Sequence, residues 1–425
     1  MKLQKISANI SPFAGINFVN NGFNTVGLSQ LIDNELGARV KTVGFSYSEI
    51  IRSLTNVFFS GGSCAEDIQT HLGKHLKSIP GNNVPSADTI LRGIKELATQ
   101  NSSFISKQKK LYDFNINTKL NSLNIKSLLL TGQLQKDTYY DFDYDNQIIA
   151  TEKYDAKLTY KHTKGYCPGV ATIGNKIVYI ENRDGNANVK FEQASTLTRA
   201  YNLLNGSGIK INRSRMDAGS YAKEIIEVVS ENSKLFYIRA NKCAELSMQI
   251  SKIQKWETVE INYKNYEVAS IPFIQFFEDK KYRLVIMREK SNDNQIDMFT
   301  GDAFTYRSIL TNDDQSNEKE VIEYYNQRGG SEKLFDVMNN DFGWKHLPCS
   351  FMNENTAFLI ITAMAKNFYN YFVEKVSDVF EDIMPTTRLK RFIFRFISVA
   401  GKWVYSGRQW VLKLYTDKPY EALVI

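Results

Sequence analysis

Acidic residues in three separate parts of the sequence could together perform metal-dependent chemistry. Asp143 and Asp145 end an alternating segment. Asp217 follows a second extended segment, and Glu332 lies in a helical one. Carboxylates that converge at close range repel one another, so such a cluster needs a cation. Mg²⁺ is suited to this role because it prefers oxygen ligands, and Mn²⁺ can take its place. The residue types therefore predict phosphodiester cleavage by bound metal ions, without a nucleophilic side chain.

Each acidic position also has a simpler interpretation. Asp141, Asp143 and Asp145 could form the exposed face of one strand. Asp217 could cap the turn that follows it, and Glu332 could be a solvated helix residue paired with the arginine four positions earlier. Taken one at a time, the positions leave these interpretations open, and only their joint pattern favours a shared metal site.

Composition excludes several classes of protein. The 425 residues include 53 Lys and Arg and 46 Asp and Glu, a net charge of +7 that weakly favours polyanionic partners. The four cysteines lie far apart without a CxxC pair, which argues against a zinc ribbon or a disulfide scaffold and suits a cytoplasmic protein. We expect neither secretion nor membrane insertion, because no signal segment or long apolar stretch is present. Walker A, GxGxxG and GxSxG motifs are absent from the sequence.

The elements that would position the acids follow a recognisable order. An alternating strand covers 138–145, and a hairpin turns at Gly174-Asn175. Helices and strands then alternate as far as residue 240. This order predicts a ribonuclease H-like mixed sheet with its first strand at the centre. Strand-like runs fill 244–312, and helices are expected over 318–338 and 354–380.

The expected architecture is an α/β protein with a ribonuclease H-like catalytic core that a β-rich insertion interrupts. Helical regions at both ends of the chain complete it. The expected divisions are an N-terminal helical DNA-binding region (1–125), the first part of the core (126–243), the β-rich insertion (244–317), the second part of the core with Glu332 (318–380) and a basic C-terminal helical segment (381–425).

Several motifs resemble those of bacterial insertion-sequence transposases of the DDE class. The run YNQRGGSE at 325–332 matches the Tyr-x-x-Arg-x-x-x-Glu signature of their cut-and-paste branch, which carries a β-rich insertion before the catalytic glutamate. RMDAGSY around Asp217 is similar to the second-aspartate motif of that branch, and DYDN at Asp145 to its first-aspartate strand. PSADTILRGI at 85–94 and DFGWKHLP at 341–348 resemble further elements, so the likeness spans nearly the whole chain.

The resemblance implies roles for particular residues. Asp145, Asp217 and Glu332 would be the catalytic, metal-binding triad. Asp143 is the alternative to Asp145, because the threonine of the family's Asp-x-Thr is missing here. Tyr325 and Arg328 would bind the terminal phosphate of the DNA. Spacings of seven and four residues would place them on the same helical face as Glu332.

Further residues are expected to contact DNA. Asn339 stands where the family commonly has a Lys or Arg that contacts a phosphate, so Lys333 or Lys345 could supply that contact. Trp256 would stack on a base flipped out during hairpin formation, or else pack as an ordinary core residue. The segment 387–416 has seven Lys and Arg and no acid, and forms a basic, aromatic-rich face. Its expected DNA-binding residues include Arg388, Arg391 and Arg395.

The expected function is that of a DNA transposase. It would bind double-stranded DNA at terminal inverted repeats, cut it with Mg²⁺ and join the 3′-ends to target DNA. We expect a dimer in the DNA complex, located in the bacterial cytoplasm with the nucleoid. A decayed transposase that binds DNA without cutting, and a ribonuclease H-like nuclease that never joins ends, remain alternatives.

Overall fold

The computed structural model describes residues 1–4, 9–39, 44–273, 275–277, 281–290 and 303–423. The α-helices are α1 (Ile16–Thr25), α2 (Leu28–Leu36), α3 (Tyr47–Phe59), α4 (Gly73–Lys77), α5 (Ala87–Glu96), α6 (Thr118–Leu130), α7 (Gln193–Gly206), α8 (Lys223–Asn232), α9 (Ala244–Ser251), α10 (Glu318–Asn326), α11 (Gly330–Asp341), α12 (Met352–Ser377) and α13 (Leu389–Phe392). The strands are β1 (Ser102–Ile105), β2 (Leu111–Asn115), β3 (Tyr139–Asn146), β4 (Ile149–Ala150), β5 (Lys157–Leu158), β6 (Lys164–Tyr166), β7 (Gly169–Ile173), β8 (Lys176–Arg183), β9 (Lys210–Met216), β10 (Leu235–Arg239), β11 (Glu257–Ile261), β12 (Lys264–Phe273), β13 (Tyr282–Lys290), β14 (Phe304–Thr311), β15 (Gly401–Ser406) and β16 (Gln409–Leu414).

A mixed sheet organises the molecule around β3. Within the described residues its order is β1-β2-β8-β7-β3-β9-β10-β14-β13-β12-β11. β3 pairs antiparallel with β7 and parallel with β9, and β10 runs parallel to β9. Helices α7 and α8 form the crossovers between β8, β9 and β10, as parallel strands require. The order β8-β7-β3-β9-β10 is that of a ribonuclease H-like core, so the predicted fold class is confirmed.

The segment expected to be a β-rich insertion extends this same sheet. It begins with α9, a helix that the sequence did not predict, and continues into the antiparallel strands β11 to β14. β14 pairs with β10, which joins the insertion directly to the core. Residues 274, 278–280 and 291–302 of the insertion lie outside the described part of the chain.

Two expectations about the ends of the chain need correction. The N-terminal region is helical as far as α5, but β1 and β2 then form a hairpin that pairs with β8. The C-terminal segment is helical at its start and ends in a short 3₁₀ helix at Tyr420–Leu423, but between them it forms the hairpin β15–β16. Its turn is Gly407-Arg408, and both residues have positive φ (60° and 64°). This is the turn geometry that matches the twist of paired strands, so the apolar and polar residues alternate along strands rather than around a helix.

Helix α12 covers one face of the sheet beside β8, and buried asparagines complete the edge of that strand. Asn121 donates to the Ile180 carbonyl (2.8 Å) and accepts from its N–H (2.9 Å). Asn367 makes the same pair of bonds with Ile177 (2.8 and 3.1 Å). Each amide thus takes the place of a neighbouring strand, because buried backbone groups must be paired. Among the described helices, none is both long enough and apolar enough to cross a bilayer.

Candidate active site

Arginine side chains on β9 pair with aspartate side chains on β3. Arg213 donates from Nε and Nη2 to Asp141 (2.9 and 2.6 Å). One step along, Arg215 donates to both oxygens of Asp143 (2.7 and 2.8 Å). The two guanidinium groups lie over the Tyr324 ring of α10, 4.0 and 4.6 Å from its centre. This face of β3 is therefore a covered ladder of ion pairs, not an exposed acidic stripe.

The ladder ends with an acid from each segment. The parallel register stops at Tyr144–Met216, and the residues that follow are Asp145 on β3 and Asp217 directly after β9, so an aspartate stands two residues beyond Arg215 where the spacing would place another arginine. Burial raises the pKa of Asp145 to about 6; the Arg328 guanidinium opposes this shift and the charge of Asp217 adds to it. Two carboxylates in this arrangement attract a cation.

Asp217 is available for such a cation. It follows β9 directly and precedes the short 3₁₀ turn Ala218–Ser220, but its side chain makes no capping hydrogen bond to that turn. Gly219 approaches closely, since a Cβ there would lie 3.0 Å from Asp217 Oδ1. The turn-capping interpretation of Asp217 therefore does not apply, and the glycine keeps space free around its carboxylate.

Arg328 pairs with Asp145 and not with Glu332. Its Nη2 lies 2.8 Å from Asp145 Oδ2, and its Nε is buried without a hydrogen-bond partner among the described residues. Tyr325 donates its hydroxyl to the Met216 carbonyl (3.2 Å), next to Asp217. Burial raises the pKa of this phenol, while Arg328 and Arg239 lower it. Tyr325 and Arg328 thus both reach the end of β3 and β9.

Glu332 lies apart from the two aspartates. The single helix expected over 318–338 is interrupted by a 3₁₀ turn at Gln327–Gly329, which separates α10 from α11. The predicted common helical face for Tyr325, Arg328 and Glu332 is therefore wrong, and Glu332 is exposed in the first turn of α11. Among the residues that the structure describes, no three Asp, Glu, His or Cys side chains come close enough to hold a metal ion.

The expected DNA-binding residues occupy varied environments. Lys333, Lys345 and Arg391 are exposed. Arg388 pairs with Asp336 (2.7 Å) and Asp341 (2.8 Å), and Arg395 donates to the Asp382 carbonyl. The expected DNA-binding residues among these basic side chains thus lie in or near α11 and α13.

Asn339 and Trp256 both have partners within the protein. Asn339 accepts a hydrogen bond from Gln147 Nε2 (2.7 Å), which ties α11 to the loop after β3. Trp256 is partly buried, and the Arg288 guanidinium lies 4.0 Å from the centre of its ring and 4.3 Å from that of Phe304. Arg288 therefore covers one side of the Trp256 indole ring.

The sequence of the chain matches a known family over almost its whole length. Residues 8–425 match the family model described as transposase DDE domain group 1. The chain belongs to this transposase family. Among solved structures, this DDE domain is similar to a piggyBac transposase, determined by cryo-electron microscopy as a synaptic complex with hairpin DNA. The two share 11% identity and a TM-score of 0.47 over 91% of this chain and 80% of that chain. A comparison with curated proteins finds no match.

The donor set of this DDE domain meets part of what a divalent cation requires. DDE transposases generally use divalent metal ions. Asp145 and Asp217 supply the hard oxygen atoms that such ions prefer, and Arg328 balances part of their charge. Glu332, the third expected ligand, lies outside this pair. The residues present therefore supply two of the three expected metal ligands.

Sequence reasoning missed the arginine side of the ladder. Arg213 and Arg215 precede Asp217 at the same two-residue spacing that relates Asp141 and Asp143 to Asp145. Both ion pairs join residues 72 positions apart, as do Asp145 and Asp217. This equal spacing predicts the pairing, because side chains alternate along each strand and those on the same face of paired strands lie opposite one another.

Proposed function

We propose that this chain is a DNA transposase that binds terminal inverted repeats, cuts DNA by divalent-metal-dependent hydrolysis and joins the 3′-ends to target DNA. The observation that carries this proposal is the end of the ladder, where the charge of Asp217 acts on the buried Asp145 directly after two steps in which an arginine balances each aspartate. Membership of a transposase DDE family supports the same reaction class.

Asp145, Asp217 and Glu332 would hold Mg²⁺, or Mn²⁺ in its place. When bound, such ions lower the pKa of an attacking water or hydroxyl and stabilise the leaving oxygen. Asp143 is less suited to this task, because Arg215 already occupies both of its oxygens. This pairing supports Asp145 as the first acid of the triad.

Arg328 would have two partners at different stages. Without DNA it balances Asp145, and its buried Nε has no partner among the described residues. A planar guanidinium can hold two phosphate oxygens at once, so a terminal phosphate would satisfy this donor. Tyr325, anchored beside Asp217, would position the same phosphate.

The start of α11 would reorient to bring Glu332 to the aspartates. Gly329 and Gly330 precede Glu332, and a Cβ at either position would meet no atom within 4 Å. Neither glycine has a positive φ. Since neither packing nor backbone geometry requires glycine here, the pair supplies conformational freedom, which the movement of Glu332 would use.

A basic surface at the C-terminal end would contribute phosphate contacts away from the cut site. Lys402 and Lys413 lie opposite each other on the hairpin β15–β16, an arrangement that is unfavourable without an anion between them. Tyr405 and Trp410 are 62% and 54% exposed on the same hairpin. Exposed aromatic rings among lysines are typical of nucleic-acid surfaces. Arg391, Lys333 and Lys345 would extend this surface toward α11.

The protein would act on paired element ends. Two subunits would hold two terminal repeats in one complex, and the reaction would take place on DNA in the bacterial cytoplasm. Trp256 would contribute to base stacking only after Arg288 moves away from its ring.

The test is strand cleavage of labelled duplexes that carry the DNA flanking the coding sequence. We expect cutting in Mg²⁺ and none in EDTA, with joining to a supercoiled plasmid in the same reaction. Asp217→Asn and Glu332→Gln should bind the duplex without cutting it. Glu323→Gln, an exposed glutamate on α10, is the matched control and should cut normally. Unchanged cutting by Glu332→Gln would contradict the proposal.

One observation favours a second candidate, a transposase-derived protein that binds DNA without cutting it. Glu332 is exposed, and no group of three metal-ligand side chains is present in the described ranges. In that case the wild-type protein would bind element ends, and neither Mg²⁺ nor Mn²⁺ would produce a cut. A ribonuclease H-like nuclease would instead cut duplexes that lack the repeats and never join ends.

A further inference from the structure

Arg388, the residue before α13, binds two acidic side chains of α11. Its Nη1 lies 2.7 Å from Asp336 Oδ2, and its Nε donates to Asp341 Oδ2 (2.8 Å). Asp336 lies in the middle of α11, and Asp341 is its last residue. Both carboxylates raise the pKa of Arg388. One guanidinium group thus joins the segment before α13 to two turns of α11.

The position of Asp336 relates this contact to Glu332. Asp336 lies four residues after Glu332, so the two side chains share a face of α11 in successive turns. Asn339, on the same face, accepts a hydrogen bond from Gln147, which lies two residues after Asp145. The face that includes Glu332 is therefore held at Asp336 and Asn339, while Glu332 itself is exposed.

The contacts of Arg388 are of a kind that DNA can displace. The side chains of Arg388 and Asp336 are 44% and 52% exposed, and exposed ion pairs add little to stability. A phosphate group can bind a guanidinium group through two oxygens, as a carboxylate does. By contrast, Leu334 and Met338 are buried on the other side of α11. An exchange of partners at Arg388 would therefore change the restraint on this helix without unfolding it.

Arg388 also lies where DNA is expected. It lines the same cleft as Arg328, the residue proposed to bind the terminal phosphate, and Lys333 of α11 lies in the wall of this cleft as well. A DNA backbone that reaches Arg328 would therefore pass Arg388.

We propose that Arg388 is a positioning residue that couples DNA binding to the movement of Glu332. Without DNA, Arg388 holds α11 through Asp336 and Asp341, and Glu332 stays away from the two aspartates of the active site. A DNA phosphate takes the guanidinium group, the restraint on α11 is lost, and Glu332 becomes free to reach the metal site. This inference rests on the proposed function, because it assigns a trigger to the movement proposed there.

The test compares Mn²⁺ affinity, measured by electron paramagnetic resonance, with and without element-end DNA. In wild-type protein, we expect DNA to tighten Mn²⁺ binding at least tenfold. Arg388→Gln should bind Mn²⁺ at least fivefold more tightly than wild type before DNA is added, because α11 is already released. A merely structural role of Arg388 would weaken Mn²⁺ binding or leave it unchanged.

A second variant separates the restraint on α11 from the phosphate contact. Asp336→Asn combined with Asp341→Asn frees α11 but keeps Arg388, so it should show the same gain in Mn²⁺ affinity and bind duplex DNA at least as tightly as wild type. Amide hydrogen exchange of residues 327–341, measured without metal or DNA, should be several-fold faster in Arg388→Gln and in the double variant. Lys375→Gln, which removes an exposed charge from α12, is the control and should match wild type throughout.

The outcomes separate this inference from the proposed catalysis. Wild-type Mn²⁺ affinity and amide exchange in Arg388→Gln would overturn the role of Arg388, as would a wild-type affinity that DNA does not change. In either case, cutting by wild-type protein in Mg²⁺ would leave the proposed function intact. If amide exchange rises as expected but wild-type protein never cuts, the proposed catalysis fails and the restraint by Arg388 stands.

Discussion

Asp145 near the end of β3 and Asp217 directly after β9 interact through their charges, just beyond two steps that each pair an aspartate with an arginine. The ladder explains how the fold tolerates three aspartates on one strand face. Asp141 and Asp143 are neutralised by bidentate guanidinium groups, and Asp145 shares its charge environment with Asp217 and Arg328. The same face therefore contains a structural part and a reactive part.

We expect the ion pair between Asp143 and Arg215 to contribute to the stability of the fold. In Asp143→Asn, the buried Arg215 would lose its charged partner, and we expect the free energy of unfolding to fall by about 3 kcal/mol. Urea denaturation at pH 7 measures this change. A loss below about 0.5 kcal/mol, the ordinary effect of a surface substitution, would show that the pair does not stabilise the sheet.

Stability should depend on pH through Asp145. Its pKa is raised from 3.8 to about 6 in the folded state, so the folded protein binds this proton more tightly than the unfolded chain. The stabilising contribution is complete below about pH 4 and is lost as the pH rises through 6. Asp145→Asn should therefore gain stability relative to wild type over this window, by about 3 kcal/mol at pH 7.

Urea denaturation in EDTA at pH 4, 5, 6 and 7 checks this prediction. Glu323→Gln is the control, and its difference from wild type should stay flat across the series. A constant difference between Asp145→Asn and wild type would mean that Asp145 titrates at its ordinary pKa.

The two glycines before Glu332 should separate stability from activity. Replacing Gly329 and Gly330 by alanine fits the available space and favours helix, so we expect a gain of about 0.5–1 kcal/mol for each site. Because the stiffer segment would hold Glu332 away from the aspartates, cutting should fall at least tenfold. Urea denaturation measures the gain in stability, and single-turnover cleavage measures the loss of cutting. A double variant that cuts at the wild-type rate would contradict the proposed movement of Glu332.

The buried charge of Lys366 should destabilise the fold at neutral pH. Its pKa falls from 10.5 to about 7, so the unfolded chain holds this proton more tightly than the folded protein between those values. The penalty is complete below pH 7 and disappears as the pH rises toward 10.5. Lys366→Met should be more stable than wild type by about 4 kcal/mol at pH 7, and this advantage should shrink at pH 9. An advantage that is equal at both pH values would indicate a packing effect instead.

Strand alternation made the core predictable. The hairpin at Gly174-Asn175 and the alternating segment around Asp143 appear where the sequence indicates them, because a period of two and a turn dipeptide are local signals. The break between α10 and α11 was not predictable, since 318–338 contains no proline and its apolar spacing continues through the glycines. Where the tertiary structure follows these local signals, the sequence is sufficient to predict the secondary structure.

The charge balance of the site depended on contacts distant in sequence. Nothing near Arg328 indicates that it pairs with Asp145 instead of Glu332, its neighbour by helical spacing. Lys366 lies in the part of α12 that is buried on all sides, and its ammonium group donates to the Asn175 carbonyl in the β7–β8 turn. Such pairings are set by the sheet register and helix placement, which residue types alone do not specify.

The most direct test of the central claim is Mn²⁺ binding measured by electron paramagnetic resonance with element-end DNA present. Wild-type protein should bind Mn²⁺ and cut the DNA. Asp145→Asn and Asp217→Asn should each weaken Mn²⁺ binding at least tenfold and stop cutting, while duplex binding and the Glu323→Gln control remain normal. Wild-type Mn²⁺ affinity and cutting in Asp217→Asn would contradict the assignment of this aspartate pair as the metal site.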